Sequence, residues 1–163
     1  MKIRKSTPAD LPEIMKLYET ARAFMRQSGN PNQWKNNHPP EEQIKQDIQD
    51  GTSYVCEHES GEILATFFLT TASDPTYTKI DGAWLNNAPY GTVHRIARNH
   101  NTPNAKGAGA YCLNWCYEQI GNIRIDTHED NTPMIGLLER IGFKRCGIIW
   151  LENGEERIAF QRI

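Results

Sequence analysis

The chain has no Cys-x-x-Cys pair, and its four cysteines, Cys56, Cys112, Cys116 and Cys146, show no ligand spacing with His94, His100 or His128. Cys112 and Cys116 lie four apart on a predicted helix and share a face, which fits core packing better than metal binding. No bound metal is expected. No apolar run approaches the ~20 residues of a membrane-spanning helix. Met1-Lys2-Ile3-Arg4-Lys5 lacks the apolar stretch that follows in a signal peptide. The net charge is only −2, which does not favour a nucleic-acid groove. No repeat, linker or low-complexity segment interrupts the chain. These absences predict one domain over residues 1–163, cytoplasmic, with neither membrane nor nucleic acid as partner. A content of 38% hydrophobic and 23% charged residues suits a soluble globular domain with a core of its own.

The most informative stretch present is Tyr90 to Gly121. Gly91-Thr-Val-His-Arg-Ile-Ala97 reads as a β-branched strand after an Asn-Ala-Pro turn. A polar loop from Arg98 ends in Gly107-Ala108-Gly109, and a helix from Ala110 to Ile120 follows, stopped by Gly121. A glycine turn that opens a helix directs several N–H groups at one point, where the helix carries partial positive charge. Such a turn suits a phosphate or pyrophosphate. It is no Walker loop, because Lys106 precedes the first glycine and no Ser or Thr follows Gly109. It is no dinucleotide fingerprint either, because Cys112 stands where the third glycine belongs. An acyl-coenzyme loop and an ordinary helix-opening turn both remain.

The rest of the chain reads in order. Lys2–Lys5 alternates as a first strand, and Ser6-Thr7-Pro8 starts a helix with Leu11, Ile14, Met15, Tyr18, Ala21 and Met25 on one stripe. A loop carrying Trp34 ends at Pro39-Pro40 and is read either as a cover over a pocket or as a plug over the core. A second helix runs from Glu41 to Gln49. Strands follow at Ser53–His58 and Ile63–Thr71, the second apolar enough to be buried on both faces. Tyr77 to Leu85 is weakly patterned. After the central unit, Asn122 to Glu129 alternates Ile123, Ile125 and Thr127 against Arg124, Asp126 and His128. A helix starts at Asp130-Asn131-Thr132-Pro133 and stops at Gly142-Phe143, and two strands joined at Asn153-Gly154 complete the chain. This order predicts an α+β fold: a mixed, mostly antiparallel sheet with a central parallel pair, at Val93 and Ile123, and helices packed on it.

Asn104-Ala105-Lys106-Gly107-Ala108-Gly109 resembles the acyl-CoA loop of the GNAT superfamily of N-acetyltransferases, Gln/Arg-x-x-Gly-x-Gly/Ala, with Asn in the first place. Asn131 followed by a helix and Gly142-Phe143 resembles the same family downstream, and the element order is similar over essentially the whole chain. The resemblance implies a fold with helices on both faces, acetyl-CoA as co-substrate and transfer of its acyl group directly to an amine of a small molecule or peptide. It also implies that the fourth and fifth strands splay, with the pantetheine arm lying between them. On that basis Ile96, Ala97 and Arg98 would bind the arm through their backbone. The N–H groups from Ala105 to Ala110 would hold the pyrophosphate. Asn131 and Met134 would complete the coenzyme contacts.

The same resemblance makes His94 the best candidate base, where relatives often carry Glu; an imidazole suits proton transfer near neutral pH. Asp126 and His128 are the second choice, and His94 is equally read as a hydrogen-bonded pocket residue. Trp34, Trp84, Tyr90 and His128 are expected around the acceptor, with Trp115 and Trp150 in the core. Leu138 stands where relatives often have a Tyr that protonates the leaving sulfur, and a leucine has no proton to give. A non-catalytic acyl-CoA-sensing module therefore stays open as the alternative. A nucleotide-phosphate hydrolase lacks the metal carboxylates it would need. Exposed late strands leave room for a homodimer.

Overall fold

The computed structural model describes all residues, 1–163. Eight strands form one sheet: β1 (Lys2–Lys5), β2 (Ser53–Glu57), β3 (Ile63–Thr70), β4 (Asp81–Gly82), β5 (Gly91–Arg98), β6 (Ile123–Thr127), β7 (Lys144–Trp150) and β8 (Glu156–Arg162). Their order across the sheet is β1-β2-β3-β5-β6-β8-β7-β4. Every neighbouring pair is antiparallel except β5 and β6, which are parallel. The weakly patterned stretch after Tyr77 supplies only the two-residue β4 on β7. There Gly82 and Gly147 pass so close that a Cβ on either would collide with the backbone of the other strand, at Cys146 and Asp81.

Four helices pack on this sheet: α1 (Leu11–Gln27), α2 (Glu41–Gln49), α3 (Ala108–Ile120) and α4 (Thr132–Arg140). Pleating separates the two faces. Val55 joins Ile14, Leu17, Tyr18, Ala21 and Ile44 beneath α1 and α2. Its neighbour Cys56 joins Cys112, Leu113, Cys116 and Leu138 beneath α3 and α4. Cys112 and Cys116 thus pack in the core. Trp115 stacks against the same cluster beside Tyr54 and Phe67. Trp150, expected in the core, is half-buried with the Lys79 ammonium 5.0 Å from its ring centroid.

α1 buries Ile14, Leu17, Tyr18 and Ala21, the spacing of a single helical stripe. The Pro8 start is a 3-10 turn rather than the first turn of that helix, and Thr7 N–H donates to the Asp10 carboxylate at 2.7 Å. α3 starts two residues before the expected Ala110, with Gly107 at its N-cap in the left-handed region, φ 79°.

The feature that positions the site is where β5 and β6 part. They pair only at Gly91–Ile123 and Thr92–Arg124, although both strands run on. On its other side β5 bulges against β3: Phe68 pairs with His94 but Thr66 pairs with Ala97, so Arg95 and Ile96 together face Phe67. Arg95 sits at φ 52°, a strained value for a residue with a Cβ. Its surroundings hold it there. Arg95 Nε and Nη2 donate to Asp47 Oδ2 at 3.0 and 2.8 Å, Tyr18 O–H donates to its carbonyl at 2.7 Å, and its guanidinium lies 4.5 Å from the Phe68 ring centroid.

Candidate active site

Two cavities meet at the splay. The larger, about 540 Å³, is lined from the α1–α2 loop, the 71–90 loop, β5, β6 and the β7–β8 turn. The smaller, about 260 Å³, runs from Ile96, Ala97 and Arg98 to Gly107, Gly109 and Ala110. Met25, Trp34, Ile96, Asn131 and Met134 line both, so the two form one continuous cleft.

At the smaller end the polar groups belong mainly to the backbone. The first intrahelical bond of α3 runs from Tyr111 N–H to the Gly107 carbonyl at 3.0 Å. The four N–H groups from Gly107 to Ala110 have no partner in the chain. A Cβ built on Gly107 meets nothing within 4 Å, so the approach to these donors is open. Arg98, His100 and Arg140 line the same groove. His100 stacks on Phe24 with ring centroids 3.9 Å apart. Burial and then the Arg98 charge push its pKa down, so the neutral ring accepts from Arg98 Nη2 at 3.2 Å through Nδ1. Free amides on a helix start beside two guanidiniums fit a diphosphate.

This geometry corrects the expected loop in three places. Ala105 and Lys106 N–H are engaged by Thr102 and Pro103 carbonyls at 3.3 and 3.2 Å, in a 3-10 turn, so the free set starts at Gly107. Asn104 points away and donates to Glu62 at 3.2 Å. Asn131 lines the cleft, but its side-chain oxygen accepts from Met134 N–H at 3.2 Å and its amide donates to Gln33 at 2.9 Å. It caps α4 and ties down the loop. Met134 and Leu137 line the groove, whereas Leu138, in the position of the absent tyrosine, is fully buried in the core. Ala108 is buried too, and only its backbone is available.

At the larger end the polar groups are side chains. His94 Nε2 lies 2.7 Å from Asp74 Oδ2, and His94 Nδ1 lies 3.8 Å from Asp126 Oδ2. Burial raises the Asp74 pKa, but hydrogen bonds from His94 and Thr76 outweigh it and hold the carboxyl down at about 2. An ionised carboxylate only accepts, so Nε2 carries the hydrogen and Nδ1 of the neutral ring keeps its lone pair. Thr76 N–H and O–H donate to Asp74 Oδ1 at 2.8 and 2.6 Å. Tyr77 O–H donates to Asp126 Oδ2 at 2.7 Å; burial first, then the Asp126 charge, keeps that phenol protonated far above its ordinary range. The ionised acid thus fixes the hydrogen of a neutral imidazole on Nε2 and leaves Nδ1, on the Asp126 side, as the nitrogen that can take a proton.

Three aromatic and imidazole residues expected around the acceptor stand elsewhere. Trp84 and Tyr90 do not reach the cavity wall. They sandwich the buried Arg124 guanidinium, 4.2 and 4.0 Å from its carbon, because strand alternation turns Arg124 to that face. Trp84 Nε1 also donates to the Tyr77 carbonyl at 2.9 Å, and Tyr90 O accepts from Asp74 N–H at 3.1 Å. Tyr90 therefore supports the His94 partner rather than a ligand. His128 opens on a neighbouring depression with Lys35 and Glu155, which meets the larger cavity only at Arg157. Trp34 does line the cleft, edge-on to Tyr18 with centroids 5.5 Å apart.

Residues that sequence reasoning passed over also line the cleft. Asp74 marked only a chain break before Pro75, although an Asp two residues before a Thr is a local capping pattern. Gln33 lies in a polar loop with no pattern at all. Its side-chain oxygen accepts from Asn30 and Asn131 at 2.9 Å each and from Thr127 at 3.4 Å, joining the α1–α2 loop to the end of β6. Arg157 gave no signal beyond being a charge in a strand.

No family model and no curated protein sequence matches the chain. Solved structures do. A GNAT-family acetyltransferase from Streptococcus agalactiae 2603 superposes with a TM-score of 0.86 at 30% identity, covering 99% of this chain and 94% of that one. A ribosomal-protein-alanine N-acetyltransferase from Brucella melitensis gives 0.66 at 18% identity, covering 100% and 99%. A phosphinothricin acetyltransferase from Sinorhizobium meliloti, solved in complex with AcCoA, gives 0.67 at 15% identity, covering 99% and 86%. The last two share the fold. On the first, at 30% identity over nearly the whole of both chains, the chain belongs to the GNAT family of acetyltransferases.

Proposed function

We propose that this protein is an N-acetyltransferase that moves an acetyl group from acetyl-CoA directly to the amine of a small molecule. One observation carries the reading. A single cleft runs from free helix N-terminal amides, past an unpaired strand edge, to an imidazole hydrogen-bonded to an ionised acid.

The coenzyme would supply an activated acyl thioester. The N–H groups of Gly107 to Ala110, with Arg98 and Arg140, would hold its diphosphate. The edge of β5 beyond Thr92 has no strand opposite it, and its backbone groups at Ile96 and Ala97 would bind an extended arm as a further strand. A backbone N–H there would stabilise negative charge developing on the carbonyl oxygen.

His94 supplies the base. An ammonium acceptor must lose a proton before it can attack, and Nδ1 of His94 is the free lone pair in the cavity. Asp74 fixes the hydrogen on Nε2 and so leaves the Nδ1 lone pair as the basic site, and Asp126 favours a cationic acceptor nearby. Met25 and Trp34 cover the splay and limit water around the thioester. The leaving sulfur takes its proton from solvent or from the attacking nitrogen, since Leu138 has none. Four buried, unpaired cysteines support a cytoplasmic setting, and a sheet that includes every strand supports action as one domain.

Calorimetric titration with acetyl-CoA, then thiol release over an amine library, tests the reading. Saturable binding and amine-dependent release are expected. Absence of binding, or release that no amine accelerates, would remove it.

A further inference from the structure

Arg157 is a cation built into the larger cavity without a matching use. It is 5% exposed and lies on β8. Only two of its five N–H donors are engaged: Nη1 donates to the Glu156 carbonyl at 2.9 Å and Nη2 to Glu155 at 3.3 Å. Glu155 is itself held by Lys35 at 2.7 Å, so one carboxylate stands against two cations. Arg95, the other guanidinium on this wall, is neutralised by Asp47 from behind. His38 lines the same region, and partial desolvation, then Arg95, Arg22 and Arg157, hold its pKa low, so it brings no competing charge near neutral pH. Glu152 is exposed at the mouth of the cavity, and Glu129 and Glu156 line the neighbouring depression that Arg157 also borders.

The position of Arg157 relative to the acid pair matters as much as its charge. Asp126 pairs with Ala159 across β6 and β8. Arg157 is two residues from Ala159 and so shares its face, which makes it a diagonal neighbour of Asp126. One sheet face therefore presents an anionic group beside the base and, one step along, a guanidinium with three unpartnered donors. A cavity of about 540 Å³ between them has room for a small molecule.

Resting on the acetyl-transfer reading above, we infer that the acceptor is an amino acid, an ammonium and a carboxylate on one small molecule, with Arg157 binding the carboxylate while the amine meets His94 and Asp126. A guanidinium fork matches a carboxylate in two parallel hydrogen bonds, and a buried one left without it is poorly solvated. A peptide N-terminus carries an amide in place of the carboxylate and leaves those donors unmatched.

Matched pairs test this. Thiol release is measured with acetyl-CoA on α-, β- and γ-amino acids, on their carboxamides and on the corresponding decarboxylated amines. The parent enzyme should prefer an acid over its amide by about tenfold or more in kcat/KM, the usual worth of a charge-assisted pair. R157M should bring that ratio close to one, mostly through KM, and R157K should restore part of it. The parent comparison needs no variant to fold. Amides taken as readily as acids, or a preference that survives R157M, would overturn the inference while leaving acetyl transfer standing. Calorimetry with acetyl-CoA on the same preparations separates this from failure of the coenzyme reading, which would take both down.

Discussion

At the groove end of the cleft, the groups that would bind a ligand are main-chain amides at Gly107 to Ala110, and their geometry follows from the start of one helix. At the other end they are side chains from four separated segments: Asp74 in a loop, His94 on β5, Asp126 on β6 and Arg157 on β8. The first kind of site asks little of side chains beyond a glycine at the left-handed Gly107 and an exposed backbone. The second depends on each residue keeping its neighbours. A family can therefore hold the coenzyme end steady while the acceptor end is rebuilt, and the two ends should respond to mutation in separable ways.

The sharpest break comes from His94→Ala. Removing the base should lower kcat by roughly 10²–10⁴-fold while coenzyme affinity changes little. A variant that loses coenzyme affinity instead would mean that the two ends are not independent. Gly107→Glu strikes the opposite end. It places a carboxylate where the diphosphate would sit and forces a Cβ into the left-handed region, yet its surroundings leave room. Affinity for acetyl-CoA should fall by about 10²-fold or more, with only a modest drop in melting temperature. Unchanged affinity by calorimetry would count against the helix start as the anion site.

These two residues also show what a sequence makes visible. Gly107 could be found because a backbone site needs glycines, and Gly107 and Gly109 flank a single residue at the opening of a helix. α2 was legible for a similar reason, with Pro39-Pro40 before it and Asp50-Gly51 after it. The bulge at Arg95 was not. Its positive φ belongs to an arginine, and what holds it, Asp47 and Tyr18, comes from two helices 48 and 77 residues away. Trp84 and Tyr90 misled for a related reason. Their aromatic character suits a pocket, but only the pleat of β6 shows that Arg124 claims both rings. Gln33 and Arg157 carried no pattern, since their roles arise from which strands meet.

Gln33→Leu sharpens the comparison at the seam between the ends. Gln33 accepts from Asn30, Thr127 and Asn131, and Asn30 is 1% exposed with its own oxygen already unpartnered. Leucine would leave these donors facing an apolar side chain. A loss of about 1–3 kcal/mol in unfolding free energy is expected. Because Asn131 anchors α4 beside both cavities, KM should rise for coenzyme and acceptor together. A rise for one alone would show that the seam belongs to that end.

The smallest effect expected is on acid stability, and it separates the ends by pH. Asp74 titrates at about 2 in the folded chain against an ordinary value of 3.8. Between those values the unfolded chain binds more protons than the folded one, so stability rises with pH there. The contribution is complete above about pH 4 and disappears as pH falls toward 2. Asp10, held at about 2 by hydrogen bonds from Arg4 that outweigh its burial, adds a limb in the same window. Asp74→Asn should therefore flatten part of the melting-temperature curve between about pH 4 and pH 2 and leave Asp10's share. Gly107→Glu introduces no partner-stabilised acid and should leave that slope as it is. Were the slope in Asp74→Asn identical to the parent's, the bond between Asp74 and His94 would not be holding the carboxylate. The hydrogen of the neutral imidazole would then not be fixed on Nε2 by Asp74.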